Sequence, residues 1–313
     1  MQLFAIVLRP ASSVSMAWWS GTEVERQVHN RSSKIKCVWG LGRPQTHYLT
    51  RKHISELLLI TGNMEDLKMA KRDSKNYVLV HGSCHGAFCW EEVITHMSKK
   101  GEKAHALDLP GHGARIAERP NVRYDDYPNA VVEFIHENDL RNVVLVAHSM
   151  AGIVIPKVAE LIPERLSHLV FLSAFVLQDG ESLVDNCSPE QQKFFGQLAS
   201  ESSDNSVMFP EDVFLEFFAN GMDEEKAKSV YKRLTPTPYD PYIAKVDMKK
   251  FYGMDLPMSY IFCKQDKALP EGWWHPKMSN RIKHTYSEID TCHEVMFSEP
   301  EACAEEIIRM AAT

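Results

Sequence analysis

The 313-residue chain contains no stretch of eighteen apolar residues, so no part of it reads as a membrane-spanning helix. The apolar segment 3–8 is short, and no basic stretch precedes it, which argues against a secretory signal. No CxxC pair and no zinc-like cluster of Cys and His occurs. The seven cysteines (Cys37, Cys84, Cys89, Cys187, Cys263, Cys292 and Cys303) are odd in number, and several sit in apolar runs. That usage predicts buried free thiols in a reducing, cytoplasmic setting rather than a disulfide framework. Positive charge is scarce after residue 75, where 23 Lys or Arg face 36 Asp or Glu. A domain that acidic is a poor general ligand for a phosphate backbone, so nucleic acid is not an expected partner. Nothing calls for a metal or a cofactor. Internal repeats are absent.

Two regions differ in character. Residues 1–75 carry 12 Lys or Arg against 6 Asp or Glu, with no steady periodicity. They read as an N-terminal extension of uncertain order. Organelle targeting and a start upstream of the true one are both compatible with that composition. Segment 54–60 could form one short helix or strand. From Asn76 onward the pattern becomes regular. Apolar runs at 77–80, 104–107, 142–146, 169–172, 259–263 and 284–289 are four to six residues long and mostly rich in β-formers. Helical stretches at 88–99, 124–137, 150–161 and 299–310 lie between or after them. Alternation of this kind predicts a parallel sheet buried on both faces and flanked by helices. It stops between 176 and 256, far longer than an ordinary connection, and that interval reads as a mostly helical cap.

Two motifs carry the chemistry. Val80-His81-Gly82-Ser83-Cys84-His85-Gly86 follows the first strand, and Val146-Ala147-His148-Ser149-Met150-Ala151-Gly152 follows the third. A serine between a buried strand and a helix sits in a tight reversal that lifts its hydroxyl above the sheet. Ala147 and Ala151 occupy the two positions where glycine is usual, and Gly152 relieves the next. The Met150 N–H opens the following helix, and Gly82 lets the first loop come close. The N–H groups of Met150 and Ser83 therefore form a candidate oxyanion hole. Asp266, just after a strand, and His293, just beyond the last one, are the candidate acid and base for nucleophilic Ser149. Asp290 and Glu294 flank the histidine and compete as the acid on proximity. Asp108, in an Asp-Leu-Pro-Gly turn, is a third rival. His81 and His85 read as architectural, and Cys84 as core.

These motifs resemble the α/β-hydrolase fold, in the branch of plant-type methylesterases and hydroxynitrile lyases, with bacterial pyrethroid and aryl-ester hydrolases alongside. The pattern H-G-x-x-H-G-A-x-x-W matches residues 81–90, D-L-P-G-H-G matches 108–113, C-K-x-D-K-A-x-P matches 263–270, and D-x-x-H matches 290–293. The resemblance covers residues 76–313 and implies Ser149, Asp266 and His293 as a triad. It also implies a rival activity, cyanohydrin cleavage. Lyases of the branch carry Thr and Lys where this chain has Gly82 and Glu294, so ester hydrolysis through an acyl-enzyme is expected instead. Lactone hydrolysis, amide hydrolysis and a non-enzymatic role as receptor for a small ligand are also compatible with these motifs. The expected partner is a small, largely apolar or aromatic ester, and a homodimer is compatible with the sequence. Gly82, His148, Phe209, Phe214, Phe217, Phe218, Trp273 and Trp274 are the candidate pocket residues.

Overall fold

The computed structural model describes residues 75–312, together with the backbone of five short strands nearer the N-terminus. Two compact units divide the chain at residues 73 and 74. In the first, Ala5–Leu8, Ser13–Ala17 and Arg26–His29 pair as an antiparallel sheet, and Lys36–Val38 pairs with Thr46–Tyr48. Segment 54–60 lies outside the described residues.

The second unit is built on six parallel strands: β1 (Asn76–Val80), β2 (Lys103–Ala106), β3 (Val143–His148), β4 (Leu166–Leu172), β5 (Met258–Cys263) and β6 (Thr285–Ile289). Their spatial order is β6-β5-β4-β3-β1-β2. Every residue of β3 is buried, which is why its sequence is an apolar run instead of an alternation. Helices α1 (Glu91–Lys99), α2 (Asp126–Glu137) and α3 (Ile155–Leu161) carry the chain between the first four strands. The chain steps outward from β1 to β2, then back across to β3 and on to β4. Right-handed crossovers therefore put α1 on one face and α2 with α3 on the other. The six described cysteines are all buried and free.

Between β4 and β5 the chain leaves the sheet. This interval holds α4 (Pro189–Glu201), α5 (Glu224–Tyr231), a π-helical turn Phe214–Phe218, and a short ladder pairing Ser206–Val207 with Thr237–Pro238. A capping box starts α4. The Gln191 N–H donates to Ser188 Oγ at 3.2 Å, and the Ser188 N–H donates to Gln191 Oε1 at 3.1 Å. Asp223 accepts the Lys226 N–H at 2.9 Å and starts α5. The closing helix, α6 (Pro300–Met310), packs on α1.

Strand order places the site. β1 and β3 are neighbours, with Val80 opposite Ala147, but the chain leaves them in opposite directions. That reversal opens a crevice at the C-terminal ends of the two strands, where both sequence motifs begin.

Candidate active site

Ser149 sits at the tip of β3 with φ of +53°, in the left-handed region that a side chain normally avoids. Its carbonyl oxygen accepts the Phe175 N–H at 3.0 Å, which ties the turn to the chain leaving β4. Gly152 explains how the turn closes without glycine at the two usual positions. A Cβ there would lie 2.0 Å from the Phe175 carbonyl oxygen, so this is where side-chain bulk is forbidden. Ala147 and Ala151 are both fully buried, and their methyl groups fit.

The first loop packs against that turn. A Cβ on Gly82 would meet Ser149 Cβ at 2.8 Å, so only glycine lets the backbone carrying Ser83 pass this close. His81 has both ring nitrogens engaged: Nδ1 donates to the Gly82 carbonyl at 2.9 Å, and Nε2 accepts the Leu109 N–H at 3.1 Å. Burial lowers its pKa to about 4, so the ring is neutral. His112 donates from Nδ1 to the His85 carbonyl at 3.0 Å. Asp108 accepts the N–H groups of Ala87 (2.7 Å) and Ala114 (2.9 Å). The Asp-Leu-Pro-Gly-His-Gly turn is thus a brace for the first loop. Cys84 is buried, with its N–H on Thr237 Oγ1 at 2.7 Å, and burial pushes its thiol up to about 11.

Asp266 and His293 meet. Asp266 Oδ2 accepts from His293 Nδ1 at 2.5 Å, with the carboxylate side chain fully buried. Asp266 Oδ1 accepts the Ala268 N–H at 2.9 Å. The two loops are aligned by main chain: the N–H groups of Lys264 and Gln265 donate to the carbonyls of Ile289 and Thr291. With Nδ1 donating to Asp266, the other ring nitrogen of His293 is left to act as a base. Burial, the largest single influence, pulls the His293 pKa down. The charge and hydrogen bond of Asp266, with the charge of Glu294, outweigh it and leave the pKa above the usual value. His148 Nε2 donates to the His293 carbonyl at 3.0 Å. Its pKa falls well below the ordinary value through burial, then through the charges of His293 and His85.

Ser83, His148, Ser149 and His293 line one cavity of about 10 Å³, room for about one water. Phe209, Phe214 and Phe218 complete its lining with apolar rings. Beyond them lies a mainly apolar chamber of about 400 Å³, which Phe209 and Phe218 also line, together with Phe195 and Phe217. The rings of Phe209 and Phe218, 4.8 Å apart, thus line both spaces. Trp274 stacks on the His293 ring at 5.4 Å and supports it. Trp273 stands apart from both cavities, under the Lys277 ammonium at 3.4 Å. Met150 is buried directly after Ser149 at the start of the next turn. Asp290 is exposed and accepts from Gln265 Nε2.

Sequence pattern alone does not single out Leu234, which lines the cavity, or Phe195, which lines the chamber from α4. The Ser188/Gln191 capping box is the available signal for α4. Glu294, which the sequence offers as a rival to Asp266 and as the residue in place of the lyase lysine, also lines the cavity.

Residues 77–306 match the alpha/beta hydrolase family. Methylesterase 4 of Arabidopsis thaliana is 30% identical over 269 residues, covering 78% of this chain and 98% of that protein. Methyl jasmonate esterase 1 of Vitis vinifera is 27% identical over 266 residues, covering 75% and 96%. Among solved structures, an extracellular alpha/beta-hydrolase from a Paenibacillus species superposes with a TM-score of 0.73 at 32% identity, covering 76% of this chain and 98% of that one. It is described as sharing structural and functional homology with tobacco salicylic acid binding protein 2.

Proposed function

Because the chain belongs to the alpha/beta hydrolase family, in its methylesterase-like branch, and is a carboxylic ester hydrolase of small substrates, we propose that it works through Ser149, His293 and Asp266 and an acyl-enzyme. The single observation that carries this reading is the 2.5 Å bond between Asp266 and His293 at the cavity that Ser149 lines.

Ser149 Oγ attacks the ester carbonyl while His293 takes its proton. The oxyanion that forms is held by the N–H groups of Ser83 and Met150, each donor worth about 3–4 kcal/mol in the transition state. His293 returns the proton to the departing alcohol. Water then enters, gives a proton to the same nitrogen, and releases the acid. Asp266 keeps the imidazole in the right tautomer and stabilises its charged form.

The substrate is a small ester with an apolar or aromatic part. The cavity at Ser149 is too small for it, and the adjoining chamber is mainly apolar. The ester bond would sit in the Ser149 cavity and the apolar part in the chamber, under residues 176–256 acting as a cap. Residues 1–75 remain an extension outside the catalytic domain at 76–313. Cytoplasmic location, with organelle targeting through the extension as its alternative, stands as part of this reading. Lyase chemistry is disfavoured because the position after the base is Glu294, a group that cannot offset the charge of a leaving cyanide.

Purified protein should hydrolyse p-nitrophenyl esters, and Ser149→Ala should lose at least about 10³-fold in kcat. Equal rates for the two proteins would overturn the assignment. Cyanide release from mandelonitrile without ester cleavage would favour the lyase.

A further inference from the structure

Glu294 follows the base directly, yet it is 1% exposed and faces the cavity shared by Ser149 and His293. Its Oε2 stands 3.0 Å from Nε2 of His85, outside hydrogen-bond alignment, and neither carboxylate oxygen has a hydrogen-bond partner. A buried carboxylate left this way costs several kcal/mol.

The clue to the role of Glu294 is His85. Its ring packs beside Phe88 and Phe297, with centroids 5.9 and 6.0 Å away. Nδ1 is 2.6 Å from the Ser83 carbonyl oxygen. A carbonyl only accepts, so Nδ1 carries a proton. A neutral His85 would then turn the lone pair of Nε2 toward the carboxylate, and two electron-rich atoms would face each other in a buried space. One further proton removes that conflict, either on Nε2 or on Glu294. The same peptide is held from its other side, where the Cys84 N–H donates to Thr237 Oγ1 at 2.7 Å. His85 and Thr237 together fix the peptide that follows Ser83.

We propose that Glu294 and His85 form a second buried carboxylate–imidazole pair, holding one proton between them, which locks the Ser83 end of the oxyanion loop and makes Glu294 a positioning residue for ester cleavage. The proposal rests on the reading of Ser83 as an oxyanion donor. The pair joins the segment that carries the base to the loop that carries the donor. A loop displaced by a fraction of an ångström would weaken its hold on the transition state and leave substrate binding nearly untouched.

Two substitutions separate this role from simple packing. Glu294→Leu keeps much of the volume but leaves the Nε2 atom of His85 without a polar partner. It should lower kcat at least about tenfold while KM stays within about threefold. Glu294→Gln presents an amide N–H that can donate to Nε2 without any shared proton, and it should recover most of the kcat lost in Glu294→Leu. Wild-type kcat in Glu294→Leu, or no recovery in Glu294→Gln, would overturn the proposal. Proton NMR of the intact protein gives a readout independent of turnover. Two slowly exchanging downfield protons are expected, one from the His293–Asp266 bond and one from this pair. The second should vanish in both Glu294 variants and persist in Ser149→Ala. A single such proton in the wild-type protein would also overturn the proposal. If the wild-type protein cleaves no ester but shows both protons, the pair stands and the hydrolytic role of Ser149 falls.

Discussion

Gly82 lies so close beneath Ser149 that a Cβ on it would stand 2.8 Å from Ser149 Cβ and 3.2 Å from the His148 carbonyl oxygen. One methyl group would therefore push the first loop away from the serine turn. Gly82→Ala should reduce kcat/KM for a p-nitrophenyl ester by about 10²-fold or more, because small misplacements at reacting centres are that costly. Far-ultraviolet circular dichroism should stay native, since both segments are anchored elsewhere.

Asp266→Asn removes the charge that favours protonation of His293 while preserving shape. Steady-state assays should show kcat lowered roughly 10³–10⁴-fold. A loss under tenfold would mean that the acid lies elsewhere.

Asp108 gives the opposite expectation. Its carboxylate accepts two N–H groups and touches no cavity residue through them. Asp108→Ala should cost about 2–4 kcal/mol in urea unfolding, from two donors left without their acceptor. The folded fraction should still turn over ester.

Phe209→Ala should widen the passage between the Ser149 cavity and the chamber, since Phe209 lines both. A series of p-nitrophenyl esters should then show kcat/KM rising for the longer acyl chains relative to acetate. An unchanged ratio along the series would place the apolar part of the substrate elsewhere.

Acid should destabilise the domain well before its carboxylates titrate. Burial holds His81 and His168 at about 4, and holds His112 and His148 well below the ordinary value. The unfolded chain takes up protons at these sites near pH 6.5, while the folded chain does not, so their contribution is lost as pH falls below that value. His293, raised in the folded state, acts the other way: its contribution is present below pH 6.5 and lost as pH rises through its folded value. With His105, also lowered by burial, five lowered groups against one raised group predict a Tm that drops by about 5 °C or more between pH 7 and pH 5. The ester-cleavage rate should have an acid limb above the ordinary histidine value, since His293 must be neutral to accept a proton.

The sheet is legible in the sequence because its strands are buried on both faces. Segments such as Val143–His148 stand out as apolar runs wherever they occur. Ser149, Asp266 and His293 are legible for a related reason: they lie one, three and four residues beyond strands that run parallel, so strand direction sends them toward one edge. The interval between β4 and β5 is harder. Helix α4 is announced by Ser188 and Gln191, but its hydrophobic face is diffuse, and periodicity does not reveal it. Spacing cannot separate Trp273 from Trp274, although one lies under Lys277 and the other stacks on His293. Glu294 misleads for a physical reason. A carboxylate beside a histidine reads as a competitor for it, and only the fold reveals that this one reaches across to His85.

Ser149 is 7% exposed and shares a one-water cavity with the rings of Phe209 and Phe218, so a bulky ester needs those rings to swing aside. Turnover of bulky esters should then follow the frequency of that swing more than the ease of bond breaking. Covalent serine reagents should label the protein slowly, with a rate that climbs steeply on warming, and small reagents should outrun large ones of equal intrinsic reactivity.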